Sequence, residues 1–120
     1  MALSLSAFWW LPFGAVPEIP APRLAKDLAA IPPPQVVDVR TEAEFRAGHV
    51  PGAISAPITS LSRALPALRL DPARKVVAIC LTAHRSIPAV RLLRGRGFDA
   101  EQLAGGMLAW RAAGFPEERG

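Results

Sequence analysis

The chain has 120 residues, 51% hydrophobic and 20% charged, a balance that suits one domain with its own core and argues against intrinsic disorder. Its net charge of +4 comes without a block of five like charges and without aromatics interleaved among the arginines, so nucleic-acid binding is not expected. A single cysteine, Cys80, excludes an internal disulfide and implies no oxidising compartment.

Residues 1–14, "MALSLSAFWWLPFG", read as an apolar arm ahead of a domain over residues 15–120. A secretory signal needs a basic start, and no charged side chain precedes Glu18. A membrane span needs about 20 unbroken apolar residues, and Pro12, Gly14 and Pro17 interrupt this run. The arm is therefore expected to pack on the domain or on a second copy, which makes a homodimer through it an expectation. Membrane contact is not expected, and the cytoplasm is the default location.

In chain order, residues 15–19 suggest a short strand. Leu24, Leu28 and Ile31 then recur at helical spacing behind prolines. The proline run 32–34 ends that helix. "VVDV", 36–39, is a continuous apolar strand with one aspartate, suited to burial on both faces of a parallel sheet. Thr41 and Glu44 have capping-box spacing, so a short helix is expected from there to Gly48. Residues 49–57 form a turn into a strand, and 58–68 an amphipathic stretch broken at Pro66. "KVVAIC", 75–80, is the strongest strand. Ser86 to Arg94 reads as a helix with Pro88 in its first turn and Val90, Leu92 and Leu93 on or near its apolar face. A short strand within 98–106 and a helix over 107–115, stopped by Gly114 and Pro116, complete the pattern. Strands alternate with helices, so the fold class is α/β with a mainly parallel sheet.

Ligands of open parallel sheets bind beyond the carboxyl ends of the strands. Cys80 lies where its strand runs out, in the stretch "CLTAHRS". A cysteine attacks only as its thiolate, and an ordinary thiol of pKa about 8.5 is mostly protonated at neutral pH. Here the helix opening near Ser86 offers free amides and a positive dipole end. Arg85 adds a fixed positive charge, and His84 adds one when protonated. A tight loop from Cys80 through Leu81, Thr82, Ala83 and His84 to Arg85 can turn backbone amides toward an anion. The competing reading is that a lone cysteine is a small buried hydrophobe. No second cysteine and no His/Asp cluster accompany it, so neither a metal nor a cofactor is expected.

Three separated motifs, over about residues 15 to 116, resemble the single-domain rhodanese-like sulfurtransferases. "DVRTEAEFRAGHVPGA", Asp38 to Ala53, is similar to the family's Asp-Val-Arg, Glu-aromatic and Gly-His-hydrophobic-Pro-Gly-Ala signature. The Cys80 loop is similar to its Cys-x-x-Gly-x-Arg-Ser loop, and Leu103 to Pro116 resembles its closing Gly-Gly-hydrophobic-x-x-Trp segment. The resemblance implies a rhodanese-like fold, a central, mainly parallel five-stranded sheet flanked by helices on both faces. It also implies a mechanism. Cys80 takes the outer sulfur of a small anionic donor such as thiosulfate, becomes a persulfide, and passes that sulfur to a thiol or protein acceptor. Leu81, Thr82, Ala83, His84, Arg85 and Ser86 would bind the substrate and the persulfide. Asp38, Arg40 and Glu44 would support the loop, mainly as scaffold. Arg40 and Glu44 are placed to pair across the turn, with Asp38 accepting backbone N–H bonds. Met107 and Trp110 read as core. The family's loop glycine is Ala83 here, a costly exchange if that position needs a positive φ.

Two rival functions remain at this stage. A cysteine phosphatase or arsenate reductase loop places five residues between cysteine and arginine to fit a tetrahedral oxyanion, whereas four intervene here. A rhodanese-like module that binds a partner or senses thiols without turnover is the other alternative.

Overall fold

The structure is a computed structural model in which residues 15–120 are described. The expected apolar arm, residues 1–14, lies outside the described residues. Five strands, β1 (Glu18–Ile19), β2 (Gln35–Asp38), β3 (Ile54–Ser55), β4 (Val76–Ile79) and β5 (Ala100–Leu103), pair in the order β1-β5-β4-β2-β3. Every pairing in this sheet is parallel. The all-apolar β4, and β2 with its single aspartate, are buried along their whole length because both faces of the sheet are covered.

Helices α3 (Leu61–Leu68) and α4 (Ser86–Gly95) cover one face, where Leu61, Leu65, Val90 and Leu93 meet Val37, Val76 and Ala78. Helices α1 (Ala21–Asp27) and α5 (Gly106–Ala112) cover the other, where Leu24, Met107 and Trp110 meet Val36, Val77 and Ile79. The remaining helix, α2 (Glu42–Ala47), buries no side chain fully. Its position is set by its N-terminus: Thr41 Oγ1 accepts from the Glu44 amide, and the Glu44 carboxylate accepts from the Thr41 amide, which is the expected capping box.

Two expectations about helices are corrected. The stretch before β4 does not break at Pro66: α3 runs through it to Leu68. Leu61 and Leu65 hold one face of α3 in the core, while Pro66 is exposed, so water can satisfy the carbonyl that proline cannot bond. The first helix stops at Asp27, short of Ile31, which is 98% exposed and off its apolar face. The proline run from Pro32 disfavours helical geometry just before it. Among the described residues, no helix is long and apolar enough to cross a membrane.

Candidate active site

β4 ends at Ile79, and Cys80 follows at the carboxyl edge of the sheet. The period of the strand puts Cys80 on the α3–α4 face with Val76 and Ala78, and only 1% of the residue is exposed. Leu81, Thr82, Ala83, His84 and Arg85 then carry the chain to α4 at Ser86. Among the described residues, no protein acceptor takes the backbone amides of residues 81–86. The first turn closes only where the Ile87 amide reaches the His84 carbonyl at 3.3 Å. Among the described residues, six consecutive amides, ending at the N-terminus of α4, thus have no protein acceptor.

The loop is anchored from α5. The Met107 amide donates to the Cys80 carbonyl at 2.8 Å, and the Leu108 amide to the Leu81 carbonyl at 3.0 Å. So close an approach requires glycine at 106. A Cβ there would stand 2.3 Å from the Cys80 carbonyl oxygen, and its φ is +59°.

Arg85 is held from α2. Its Nη1 and Nη2 donate to Glu44 Oε1 at 2.5 Å and Oε2 at 2.9 Å, a two-pronged pair across 41 residues of sequence. The Arg85 hydrogen bonds are the main reason the Glu44 carboxyl is held down at about 2; partial burial opposes them, and bonds from Thr41 assist. The same contact with Glu44 raises Arg85 above its already high value, with smaller attractions from Cys80 and Asp38.

The expected pair of Arg40 with Glu44 does not form. Arg40 is buried and turns back onto Asp38, with Nη2 2.7 Å from Oδ2 and Nε 3.0 Å from Oδ1. It also donates to the Gly48 carbonyl at 2.7 Å, closing the turn around α2. Asp38 does accept a backbone bond, from the Arg40 amide at 3.1 Å. Burial decides the pairing: Asp38 and Arg40 are 1% and 2% exposed and need each other, while Glu44 faces outward to the loop.

His84 is exposed, and its Nδ1 lies 3.0 Å from Thr82 Oγ1. Ala83 does not adopt a positive φ; among the described non-glycine residues only Arg69 does. The alanine in the glycine position therefore carries no left-handed strain. Ser86 is fully buried, with Oγ 3.4 Å from Cys80 Sγ. Its hydroxyl donates to Gln102 Oε1 at 2.7 Å, and Gln102 Nε2 donates to Glu18 Oε2 at 3.0 Å. Sequence reasoning missed Gln102 and Glu18. The available signal was alternation in β5, where Gln102 sits two residues after buried Ala100 on the same face.

Residues 21–113 match the rhodanese-like domain family. The chain belongs to that family. Among curated relatives, this rhodanese-like chain is 44% identical over 87 residues to an HTH-type transcriptional regulator of Mycobacterium tuberculosis, covering 71% of the chain but only 38% of the regulator. It is 32% identical over 102 residues to a sulfurtransferase of Allochromatium vinosum, covering 84% of the chain and 94% of that protein. Among solved structures, a rhodanese-related protein from Thermoplasma volcanium superposes with a TM-score of 0.76 at 28% identity, over 86% of this chain and 98% of that one. The two faces of helices, the five-stranded parallel sheet and the cysteine loop at its carboxyl edge are thus a rhodanese-like fold.

Proposed function

We propose that the protein is a sulfurtransferase that carries sulfane sulfur on Cys80. The observation that carries this is that the six amides following the only cysteine of the chain, residues 81–86, have no protein acceptor among the described residues, with Arg85 of the same loop fixed by Glu44. The Cys80 thiolate attacks the outer sulfur of an anionic donor such as thiosulfate. A new S–S bond forms to Cys80, the donor's S–S bond breaks, and sulfite leaves with the electron pair. The resulting persulfide anion lies among the loop amides, which stabilise it electrostatically. A thiolate acceptor then attacks the terminal sulfur, and the Cys80 thiolate departs to begin the next cycle. Arg85 draws in the anionic donor and, locked on Glu44, keeps the loop in shape. Four residues between Cys80 and Arg85 make a ring suited to one sulfur atom rather than to a phosphate. The acceptor is a small thiol or a protein thiol, and a reducing compartment such as the cytoplasm keeps the lone cysteine ready for use.

The kinship with a transcriptional regulator supports a second reading, a rhodanese-like module whose Cys80 senses sulfur or thiols without turnover. Sulfite release from thiosulfate in the presence of excess dithiothreitol separates the two. Repeated turnover that is lost in Cys80→Ser supports the transferase. A single equivalent of sulfite favours the sensor. Hydrolysis of an aryl phosphate without sulfite release would replace both with a phosphatase.

A further inference from the structure

Parallel register places Glu18 of β1 opposite Gln102 of β5, and Gln102 opposite Ala78 of β4, two residues before Cys80. All these positions face α4, which brings Ser86. The result is a continuous hydrogen-bond chain from the protein surface to the sulfur: Glu18, Gln102, Ser86, Cys80. Its inner members are almost fully buried, with Ser86 and Gln102 0% and 4% exposed, whereas Glu18 is exposed.

The direction of that chain is fixed by proton counting. An ionised carboxylate only accepts, so the Gln102 amino group must face Glu18. Gln102 Oε1 then faces Ser86, and at 2.7 Å two oxygens need a proton between them, which only the serine hydroxyl can supply. Ser86 has one hydrogen. With it committed to Gln102, the hydroxyl presents lone pairs to Cys80 Sγ, an arrangement that welcomes S–H and opposes a sulfur anion. If the Gln102 amide turned over, Nε2 would donate to Ser86, and the serine hydroxyl would be released to donate to the sulfur. The charge on Glu18 blocks that turn.

We propose that Glu18 and Gln102 are positioning residues that set, through Ser86, whether the sulfur of Cys80 meets a hydrogen-bond acceptor or a donor. An ionised Glu18 holds the thiol form in reserve. Neutralising Glu18, or contacting it with a cationic partner that draws it away from Gln102, arms the nucleophile. This rests on Cys80 being the reacting group, as proposed above. The other charged or titratable groups around the loop are Arg85 with Glu44, the buried Asp38–Arg40 pair, and the exposed His84, whose Nδ1 lies 3.0 Å from Thr82 Oγ1. None of them belongs to the hydrogen-bond chain, and Glu18→Gln leaves them all in place.

Glu18→Gln tests the idea, because its amide accepts either orientation of Gln102 and its exposed site keeps the fold. The readout is the pH profile of Cys80 alkylation by iodoacetamide, in the single variant and in a Ser86→Ala background. The profile of Glu18→Gln is expected to move to lower pH by about half a unit, about threefold faster alkylation on its acid side. In the Ser86→Ala background the same substitution is expected to leave the profile in place. An unmoved profile in Glu18→Gln would overturn the proposal. So would an equal displacement with Ser86 removed, since that is what a through-space charge effect gives. Alkylation reads the thiol itself, so a protein that fails to transfer sulfur is still fully tested here.

Discussion

Glu44 and Arg85 are separated by 41 residues, yet they form the pair that couples the capping box of α2 to the Cys80 loop. The pair joins local helix chemistry to the candidate active site: the residue that caps a six-residue helix also fixes the cation beside the sulfur. Removing the carboxylate therefore acts on two elements at once. Glu44→Gln keeps much of the cap but loses the charge on Arg85's partner, and sulfite release is expected to fall by about tenfold, a cost of roughly 1.4 kcal/mol in the transition state. Unchanged turnover would detach Arg85 positioning from function.

The same contact predicts a pH dependence of stability. Glu44 titrates at about 2 in the folded protein against 4.5 as its unperturbed value. A depressed folded value means that its contribution is present above 4.5 and is lost as pH falls toward 2. Glu44 is 30% exposed, so solvent screening reduces the gain to about 1 kcal/mol. Urea unfolding followed from pH 6 to 2 is expected to fall less steeply through that window in Glu44→Gln than in the parent protein.

Asp38 and Arg40 behave differently because both are buried. Asp38→Asn leaves the Arg40 guanidinium without its countercharge in the core, a loss of about 3–5 kcal/mol. Chemical denaturation reads this directly. A loss below about 1 kcal/mol would show that solvent reaches Arg40.

Gly106→Ala tests the anchoring of the loop by α5. The added Cβ meets backbone, 2.3 Å from the Cys80 carbonyl oxygen, so the loop or the helix must shift. Destabilisation of at least about 2 kcal/mol is expected, together with slower sulfite release. Gly97→Ala is the control: its φ is also positive, at +93°, but nothing lies within 4 Å of the added carbon. It is expected to cost only about 1 kcal/mol and to leave turnover alone.

Much of this was legible in the sequence, for physical reasons. The apolar runs of β2 and β4 reveal a sheet buried on both faces, and the spacing of Thr41 and Glu44 reveals the cap. Cys80 at the end of a buried strand marks the carboxyl edge of the sheet, the candidate site. The pairings of Arg40 and Glu44 were not legible. Spacing along a helix shows which residues are neighbours in the chain, but a partner 41 residues away took Glu44, and a buried aspartate took Arg40. Gln102 and Glu18 were hidden for a related reason: only strand register brings them into line with Ser86. The concern over Ala83 dissolved because its backbone has no positive φ, which the residue type alone could not tell.

The central claim is that Cys80 accepts sulfur, and intact mass tests it most directly. Reduced protein incubated with thiosulfate, and freed of excess donor, is expected to gain one sulfur, roughly 32 Da, removable by cyanide or a thiol and absent in Cys80→Ser. A mass unchanged by thiosulfate, or an equal gain in Cys80→Ser, would contradict it.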